Sequence, residues 1–351
     1  MSEELAAARR ILVITKFRYL GDTIVATPFL RRLKEALPQA EISLLSGPAM
    51  PTLLRGCPWL EEIIPFDPKG PRRLPRNLQL IRALKARQFD VVFLLNRSLH
   101  SSLIARAAGI PVRIGFDTEH RGPLLTTRVR YDWERPDRDC ALDLLRAAGR
   151  PAEPALPELW VDSEEREGAD AMLRQRGIEP DRFLIGMQPG AHDPEVREWG
   201  ASRFAEAADR LMAERGAAVA LLGSAEERAV AERVAAEMRT KPVVFAGETS
   251  LRQAMAVISR CGLWIGNDGG LLHAAVALCP ATVGIFGPTK AKRWGCDTPH
   301  HRTVAHFPEH GEADAAAIRR CLDSIEPDEV VAAASGAIAS LRTEGECEVE
   351  A

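Results

Sequence analysis

An acid, two glycines and a histidine lie together at the point where a predicted strand gives way to a predicted helix. Asp268, Gly269, Gly270 and His273 follow the apolar run 261–265, which is typical of a buried strand. Glycines let a ligand approach the backbone, and the N-terminus of a helix favours an anion. The pattern predicts a phosphate or pyrophosphate site, although an ordinary strand-to-helix turn with a capping Asp would have the same sequence.

Three further strand ends in the second half of the chain carry groups suited to a phosphorylated sugar. Gly190 lies in a turn followed by Arg197, and backbone amides and a guanidinium both bind phosphate. Glu227 follows another strand and can accept hydrogen bonds from sugar hydroxyls, whereas Glu226 is predicted to be an acid of the next helix's first turn. Thr289 follows a third strand. Because ligands bind at the carboxyl ends of parallel strands, these residues are candidates for one site.

Asp22 is the corresponding candidate in the first half of the chain. It follows the predicted strand 10–16 in a Gly-Asp turn, and an Asp in a ligand site can act as general base toward a hydroxyl. The competing interpretation is that Asp22 caps the following helix. Pro28 favours the first position of that helix, which would make Thr27 the cap and leave Asp22 for chemistry.

Asp137 and Asp139 have the D-x-D spacing that binds metal in some nucleotide-sugar enzymes. The pair directly precedes a predicted amphipathic helix over 140–148, so one Asp is predicted to cap that helix and no metal site is predicted. The chain has no G-x-G-x-x-G after a strand, no G-x-x-x-x-G-K-[ST] and no nucleophile elbow. These absences disfavour dinucleotide oxidoreductases, P-loop enzymes and α/β-hydrolases.

The candidate residues are carried by an alternation of strands and helices, which predicts mostly parallel sheets. The proline-rich stretch 151–157 interrupts the alternation and is predicted to link two domains. A final helix is predicted over 327–341, followed by a disordered acidic tail from Thr343. The predicted strands are 10–16, 40–45, 89–95 and 112–116, then 183–187, 217–222, 243–246, 262–265 and, as the last one, 281–286.

Length and composition agree with two globular domains. The chain has 351 residues, and about 100–200 residues per domain is usual. The first ten residues contain Glu3 and Glu4 and lack the apolar core of a signal peptide. The seven cysteines include no C-x-x-C pair. We therefore expect neither a zinc site nor a disulfide framework, and a reducing cytosol fits this usage.

Charge is distributed unevenly between the two halves. Residues 1–160 contain 25 Lys and Arg against 18 Asp and Glu, a balance of +7, whereas residues 161–351 contain 21 against 31, a balance of −10. A basic first half suggests an anionic partner, although a solvated surface rich in arginine would give the same count. Sparse aromatics and the lack of a recognition motif disfavour nucleic acid. The candidate clusters are Arg72, Arg73, Arg76, Arg82, Lys85 and Arg87, and Arg121, Arg128 and Arg130.

Taken in order, these motifs resemble glycosyltransferase family 9, the ADP-heptose:lipopolysaccharide heptosyltransferases. The resemblance covers about residues 11–295 and lies in the ordered set rather than in any single motif. The segments that carry it are Lys16…Gly21-Asp22…Thr27-Pro28, Pro189-Gly190-Ala191…Arg197-Glu198-Trp199, Gly223-Ser224-Ala225-Glu226-Glu227, Asp268-Gly269-Gly270…His273 and Phe286-Gly287-Pro288-Thr289.

The resemblance implies a GT-B architecture, in which two Rossmann-like, doubly wound α/β domains face each other across a cleft. Residues 1–158 would bind the acceptor, residues 159–325 would bind the nucleotide-sugar, and residues 326–351 would form a C-terminal helix and acidic tail. The implied reaction is an inverting transfer of heptose from ADP-heptose to a hydroxyl of the lipopolysaccharide inner core, without metal or other cofactor.

The resemblance also implies residue roles. Asp22 would be the general base, Arg197 would steady the leaving diphosphate, and Glu227 and Asp268 would hold hydroxyls of the donor sugar. The remaining predicted donor-binding residues are Gly190, Gly269, Gly270, His273 and Thr289.

Three positions depart from the family's pattern. Arg197 stands where the family usually has Lys, Gly269 where it commonly has Thr or Ser, and Gly200 where a Pro usually follows the Trp. Arg and Lys are both cations but are not interchangeable. The first two departures affect the predicted donor contacts directly, so donor specificity is the part of the function that they concern most.

The implied partners are a nucleotide-sugar donor and an anionic glycolipid acceptor, with no nucleic acid. The implied localisation is cytoplasmic, with peripheral contact at the inner membrane surface that carries the acceptor. One alternative is a GT-B enzyme for another nucleotide-sugar or acceptor, as in capsule or natural-product glycosylation. Another is a non-catalytic GT-B scaffold that binds nucleotide-sugar.

Overall fold

Two α/β units make up the chain, Met1–Trp160 and Val161–Ala351. The computed structural model describes residues 2–69, 73–287, 291–308 and 314–349. No helix in these ranges is both long enough and apolar enough to cross a membrane. Residues 148–162, which include the predicted linker, contain neither helix nor strand.

The first unit is built on a six-stranded parallel sheet with the strand order β3-β2-β1-β4-β5-β6. Its strands are β1 Arg10–Ile14, β2 Glu41–Ser46, β3 Glu62–Pro65, β4 Val91–Leu94, β5 Val112–Phe116 and β6 Thr127–Val129. Its helices are α1 Ser2–Ala7, α2 Leu20–Ile24, α3 Thr27–Ala36, α4 Met50–Leu53, α5 Arg73–Arg87, α6 Leu99–Ala107 and α7 Asp137–Ala147.

The second unit repeats this topology, with the order β12-β11-β10-β7-β8-β9 and parallel pairing throughout. Its strands are β7 Leu184–Gln188, β8 Ala218–Leu221, β9 Val243–Val244, β10 Leu263–Asn267, β11 Thr282–Phe286 and β12 His301–Ala305. Its helices are α8 Ser163–Gln175, α9 Pro194–Arg197, α10 Ala201–Arg215, α11 Arg228–Glu237, α12 Leu251–Ile258, α13 Gly270–Leu278, α14 Ala291–Trp294, α15 Ala315–Asp323 and α16 Pro327–Val349.

The central strands are buried on both faces, which explains their continuous apolar runs. Every residue of β4, β7, β10 and β11 is buried, and so are the last four residues of β1. Parallel sheets covered by helices on both faces require this pattern. The strand order reverses between β1 and β4 in the first unit and between β7 and β10 in the second. In such sheets the crevice at the reversal point is the usual ligand site.

The predicted α/β class and pair of Rossmann-like domains are confirmed, but several boundaries differ. The strand over 281–286 is not the last one, because β12 pairs with it and α15 follows. β12 carries His301 and Arg302 and lies at the sheet edge, where a strand needs no continuous apolar run. The tail predicted to be disordered from Thr343 is helical as far as Val349, where α16 ends.

The turn and the single helix predicted around and after Asp22 are instead two successive helices, α2 and α3. Pro28 cannot lie inside a helix, and it stands at the beginning of α3, as its chemistry favours. Thr27 is the first residue of α3 rather than its cap, and its hydroxyl donates to Ile24 O at 2.7 Å. The capping position is held by Ala26, which offers no side-chain hydrogen bond.

Candidate active site

The two central strands of the second unit deliver most of the predicted donor residues to one place. β7 ends at Gln188, β10 ends at Asn267, and the two strands pair with Gly266 beside Gln188. Asp268 and Gly269 follow directly, and α13 begins at Gly270. The predicted strand-to-helix junction is therefore confirmed, with Asp268 buried at the point where the strand order reverses.

Asn267 fixes the loops around this junction, a role the sequence analysis missed. Its side chain is fully buried; Nδ2 donates to Pro189 O at 2.7 Å, and Oδ1 accepts from the Trp199 amide at 3.1 Å. The loop that carries Gly190 and the segment that carries Arg197 are thereby both tied to the end of β10. An Asn directly before an Asp-Gly pair was the available signal.

Arg197 places its guanidinium beside the buried carboxylate of Asp268. Nη1 lies 3.8 Å from Asp268 Oδ2, and Nη2 lies 3.4 Å from Asp193 Oδ2. Arg197 Nε is buried and has no hydrogen-bond partner among the described residues. The side chain is 22% exposed. The guanidinium therefore lies at the edge of the site and can still donate a hydrogen bond to a ligand.

The Glu227 side chain lies close to Gly190, a predicted site residue, and to Gly223. A Cβ at Gly190 would lie 2.6 Å from Glu227 Cγ, and one at Gly223 would lie 3.0 Å from Glu227 Oε2. The carboxylate accepts hydrogen bonds from the Ser224 amide at 2.6 Å and from Gln188 Nε2 at 3.0 Å. A carboxylate has about four lone-pair sites, so Glu227 keeps capacity to accept from ligand hydroxyls.

Glu226 was predicted to lie in the first turn of the next helix, and this is wrong. α11 begins at Arg228, with Glu227 at its cap position, so Glu226 precedes the helix. Glu226 is exposed, and a hydrogen bond with Ser224 lowers the pKa of its carboxyl. The turn is stabilised instead by the reciprocal pair of hydrogen bonds between Ser224 and Glu227.

Glu198 adds a second carboxyl beside Glu227 that was not predicted as a site residue. Burial raises the pKa of the Glu198 carboxyl, and the negative charge of Glu227 acts in the same direction. A hydrogen bond from the Ala191 amide partly opposes this shift. The pKa of Glu198 is raised in the folded chain relative to the unfolded chain. The contribution of Glu198 to the free energy of unfolding therefore increases as the pH falls through the raised pKa.

His273 lies one turn inside α13 and is buried, with its ring 6.0 Å from that of Trp294 in an edge-to-face arrangement. Gly270 is the first residue of α13, so its amide belongs to the open N-terminus of the helix. Thr289 lies outside the described residues. The structure therefore brings Gly190, Arg197, Glu227 and the segment 268–273 to the same edge of the second sheet.

Gly200, where a Pro was expected, has a backbone reason. Its φ is +114°, a conformation that a proline ring, fixed near −65°, cannot adopt. Trp199 before it is fully buried and donates from Nε1 to Ile325 O at 2.9 Å. A proline therefore cannot replace Gly200 on this backbone, whereas the anchoring Trp is retained.

Asp22 lies in the short helix α2, at the carboxyl edge of the first sheet. The cap position of α2 is Tyr19, so Asp22 caps neither α2 nor α3. Its carboxylate is 8% exposed and accepts from Lys16 Nζ at 2.7 Å. The ion pair with Lys16 therefore holds the Asp22 carboxylate at this edge of the sheet.

Hydrogen bonds between buried polar side chains connect α2 to the ends of β1 and β2. Thr15 Oγ1 lies 2.6 Å from Ser46 Oγ, and Thr23 Oγ1 lies 3.3 Å from the same atom. Asn96, which follows β4, donates to Thr15 O at 3.0 Å and so ties together the loops after the two central strands. These contacts hold the segment between Lys16 and Asp22 on a rigid base.

Asp137 also faces Lys16, and the prediction that one Asp of the D-x-D pair caps the following helix is wrong. α7 begins at Asp137, and its cap position is Pro136. The Asp137 carboxylate lies 3.9 Å from Lys16 Nζ and 3.7 Å from Arg97 Nη1, and it accepts a hydrogen bond from the Tyr131 hydroxyl. A pocket at this point is lined by Thr15, Lys16, Asp22, Val25, Ala26, Leu95, Phe116, Asp137 and Ala141.

Arg97 extends this pocket toward an aromatic surface. Its guanidinium carbon lies 4.3 Å from the ring centroid of Tyr131 and 4.6 Å from that of Trp133. The two rings meet edge to face at 4.8 Å, and Trp133 is 54% exposed. A cation that contacts Asp137 is therefore stacked on an indole ring.

Arg121, predicted within a basic surface cluster, is fully buried instead. It donates to Phe116 O at 2.7 Å and to Ser98 O at 3.3 Å, and burial lowers its pKa to about 10. A buried guanidinium is retained only where it is hydrogen-bonded, and here it joins the ends of β4 and β5. Arg128 and Arg130 are exposed, as are Arg82 and Lys85, whereas Arg87 pairs with Glu62. Arg72 lies outside the described residues.

Comparison with known proteins gives a consistent result. The family model for glycosyltransferase family 9 (heptosyltransferase) matches residues 77–320. Lipopolysaccharide heptosyltransferase 2 of Escherichia coli K12 is 31% identical over 291 residues, which are 80% of this chain and 83% of the relative.

Solved structures agree with the sequence matches. The structure of Escherichia coli ADP-heptose lipopolysaccharide heptosyltransferase II superimposes with a TM-score of 0.76 at 27% identity, over 95% of this chain and 99% of the other. A glycosyltransferase family 9 protein from Veillonella parvula has a TM-score of 0.84 at 24% identity, over 94% and 97%.

Proposed function

The chain belongs to glycosyltransferase family 9, the heptosyltransferase family, and on this premise we propose that it transfers heptose from ADP-heptose to a hydroxyl of the lipopolysaccharide inner core. The two Escherichia coli relatives described above are lipopolysaccharide heptosyltransferases by name, and one of the names includes ADP-heptose. The proposed donor is the one named for the Escherichia coli enzyme at 27% identity. The proposed acceptor is an anionic glycolipid, in keeping with the basic first half of the chain.

The observation that carries the proposal is the group of charges at the end of β7 and β10. A diphosphate requires cations and amide donors, and Arg197 and the N-terminus of α13 supply both. A sugar requires hydrogen-bond acceptors for its hydroxyls, and Asp268 and Glu227 supply these. One edge of one sheet thus carries groups complementary to the diphosphate and to the sugar of a nucleotide-sugar.

We assign Asp22 as the general base of an inverting transfer. Its carboxylate would take the proton of the acceptor hydroxyl as that oxygen forms a bond to the anomeric carbon. In the same step the bond from that carbon to the diphosphate oxygen breaks, and ADP leaves with the electron pair. A single displacement of this kind inverts the configuration at the anomeric carbon.

The leaving diphosphate would be stabilised by protein groups, which makes the proposed reaction metal-independent. Arg197 and the open amides of α13 are held in place before the charge develops, and preorganised donors of this kind lower a barrier most effectively. The D-x-D pair is otherwise engaged: Asp137 contacts Lys16 and Arg97, and Asp139 lies 3.7 Å from Arg138 Nε.

Nucleotide preference provides the first test of the function. Thermal unfolding is measured with ADP, UDP, GDP and dTDP, since a ligand that binds only the folded state raises Tm. We expect ADP to give the largest rise, and mass spectrometry to show one heptose added to a heptose-deficient inner-core acceptor with ADP-heptose. A larger rise with another nucleotide would identify a different donor, and binding without transfer would indicate a non-catalytic scaffold.

The aromatic surface near Asp22 leads to a prediction about the acceptor. We expect a sugar ring of the acceptor to pack on Trp133, with a carboxylate or phosphate of the same molecule near Arg97. An aromatic contact worth about 1.4 kcal/mol corresponds to about tenfold in affinity. Trp133→Ala should therefore raise the acceptor KM about tenfold with the ADP-heptose KM unchanged, and Trp133→Phe should restore part of the loss.

Phe307→Ala is the matched control, because Phe307 is also about half exposed but lies in the second unit. Steady-state kinetics with each substrate varied separately would measure both KM values. An acceptor KM for Trp133→Ala equal to that of Phe307→Ala would show that Trp133 does not contact the acceptor.

A further inference from the structure

Gln188, the last residue of β7, is a buried polar side chain that no predicted role explains. It is only 4% exposed, and its Oε1 accepts no hydrogen bond from the described residues. Burying a carboxamide costs free energy unless its hydrogen bonds are satisfied. Among the described residues, the hydrogen bond of this side chain is the 3.0 Å contact from Nε2 to Glu227 Oε1. The polar end of Gln188 is therefore directed at Glu227.

With this contact, both carboxylate oxygens of Glu227 are held from separate directions. Gln188 binds Oε1 from the end of β7, and the Ser224 amide binds Oε2 from the turn after β8. A carboxylate held by only one oxygen can rotate about its last bond. The position of the free lone pairs of Glu227 therefore depends on Gln188.

The same carboxamide explains the glycine at 269. Gly269 has φ −152° and ψ 172°, extended backbone that any residue adopts, so its conformation does not call for glycine. Space does: a Cβ at this position would lie 3.0 Å from Gln188 Oε1 and 3.2 Å from Nε2. Such contacts are tight, and Gln188 cannot easily move away because it is buried and bonded to Glu227.

We infer that Gln188 is a donor-positioning residue of this chain, and that residue 269 is glycine because the Gln188 side chain occupies the space a larger side chain would need. The inference rests on the proposed function, since Glu227 is its proposed contact with the donor sugar. Gln188 would then compensate for the departure at Gly269. Where the family commonly has a hydroxyl on residue 269, this chain has the Gln188 carboxamide, which extends from the end of β7.

A double-mutant cycle tests this coupling. We expect Gln188→Ala and Gly269→Thr each to weaken donor binding about tenfold, the first by freeing Glu227 and the second by a clash with Gln188. In the double variant the Thr side chain has room, so its donor Kd should stay about tenfold above that of the wild type, as in Gln188→Ala, rather than rising about a hundredfold as additive effects would require. Calorimetric titration with ADP-heptose measures all four affinities, and thermal unfolding without ligand measures the clash on its own.

Gln188→Met separates positioning from packing. Methionine fills a similar volume but cannot donate to Glu227, so we expect stability near that of the wild type together with the weakened donor binding of Gln188→Ala. Gln175→Met, at an exposed position at the end of α8, controls for the substitution itself. Normal donor affinity in Gln188→Met would show that Gln188 only fills space.

The outcomes distinguish this inference from the proposed function. Wild-type binding of ADP-heptose with strictly additive effects of the two substitutions would overturn the coupling and leave the function intact. If another nucleotide-sugar proves to be the donor, the cycle is run with that molecule and tests the same contacts. If the wild type binds no nucleotide-sugar, both the proposed function and the donor role of Gln188 are contradicted.

Discussion

Replacing Asp22 with asparagine is expected to reduce heptose transfer by at least about a hundredfold, while the affinity for ADP-heptose stays unchanged. General-base assistance is worth about 10²–10⁴-fold in rate, and asparagine keeps the shape of the side chain without its ability to take a proton. Donor affinity should be retained because the proposed donor contacts lie in the second unit, whereas Asp22 lies in the first.

The neighbouring carboxylate provides the control for Asp22→Asn. Asp137 contacts the same Lys16 at a longer distance, 3.9 Å against 2.7 Å. Asp137→Asn therefore removes one negative charge from the pocket without removing the proposed base, and we expect a smaller loss of turnover. Rates from single-turnover kinetics at saturating donor would compare the two variants. Near-normal turnover of Asp22→Asn would exclude Asp22 as the base, and equal losses would indicate that pocket charge, rather than proton transfer, is what matters.

The architecture was largely predictable because it depends on patterns that local sequence records. The central strands are buried on both faces, so runs such as residues 11–14 and 263–265 are continuously apolar. Short edge strands lack this signal: β3 and β6 have mixed burial, and neither was predicted. Their place in the sheet is set by pairing with a neighbour along the edge, which a single segment of sequence does not reveal.

The candidate site was predictable where residue type and strand end coincided. Asp22, Glu227 and Asp268 each follow a predicted strand, and each lies at the carboxyl edge of its sheet in the structure. Gln188 and Asn267 were missed because a polar residue at the end of an apolar run is equally typical of a strand that is about to leave the core. Their importance comes from hydrogen bonds to segments 39 and 78 residues away along the chain.

Charge was a poor guide to exposure at one position. Arg121 was grouped with Arg128 and Arg130 on the basis of sequence proximity, yet its guanidinium satisfies two backbone carbonyls inside the first unit. Arg97, which belonged to no predicted cluster, is the arginine that reaches the pocket near Asp22. The topology decides this difference, because Arg97 follows β4, which pairs with β1, whereas Arg128 lies in the edge strand β6.

Arg197→Met should reduce turnover by about 10²–10³-fold, because the guanidinium is proposed to stabilise charge that grows as ADP leaves. A contact that strengthens in the transition state affects kcat more than ground-state binding, so the ADP-heptose KM should change much less than kcat. Arg197→Lys should keep more activity than Arg197→Met, because it preserves the cation and is the residue usual in the family. It should still fall below the wild type, since an ammonium cannot reproduce the two-pronged contact of a guanidinium with phosphate.

Arg210→Met is the matched control for loss of a cation from the second unit. Arg210 pairs with Asp328 at the surface, and exposed ion pairs contribute little. Arg197→Met should leave the fold of this loop intact, because the hydrogen bonds of Trp199 and Asn267 that anchor the loop do not involve Arg197. The variant should therefore fold normally, and its thermal unfolding should match that of Arg210→Met. A kcat within a few-fold of the wild type in such a folded variant would show that the α13 amides stabilise the leaving diphosphate without Arg197. The proposed role of Arg197 would then be wrong.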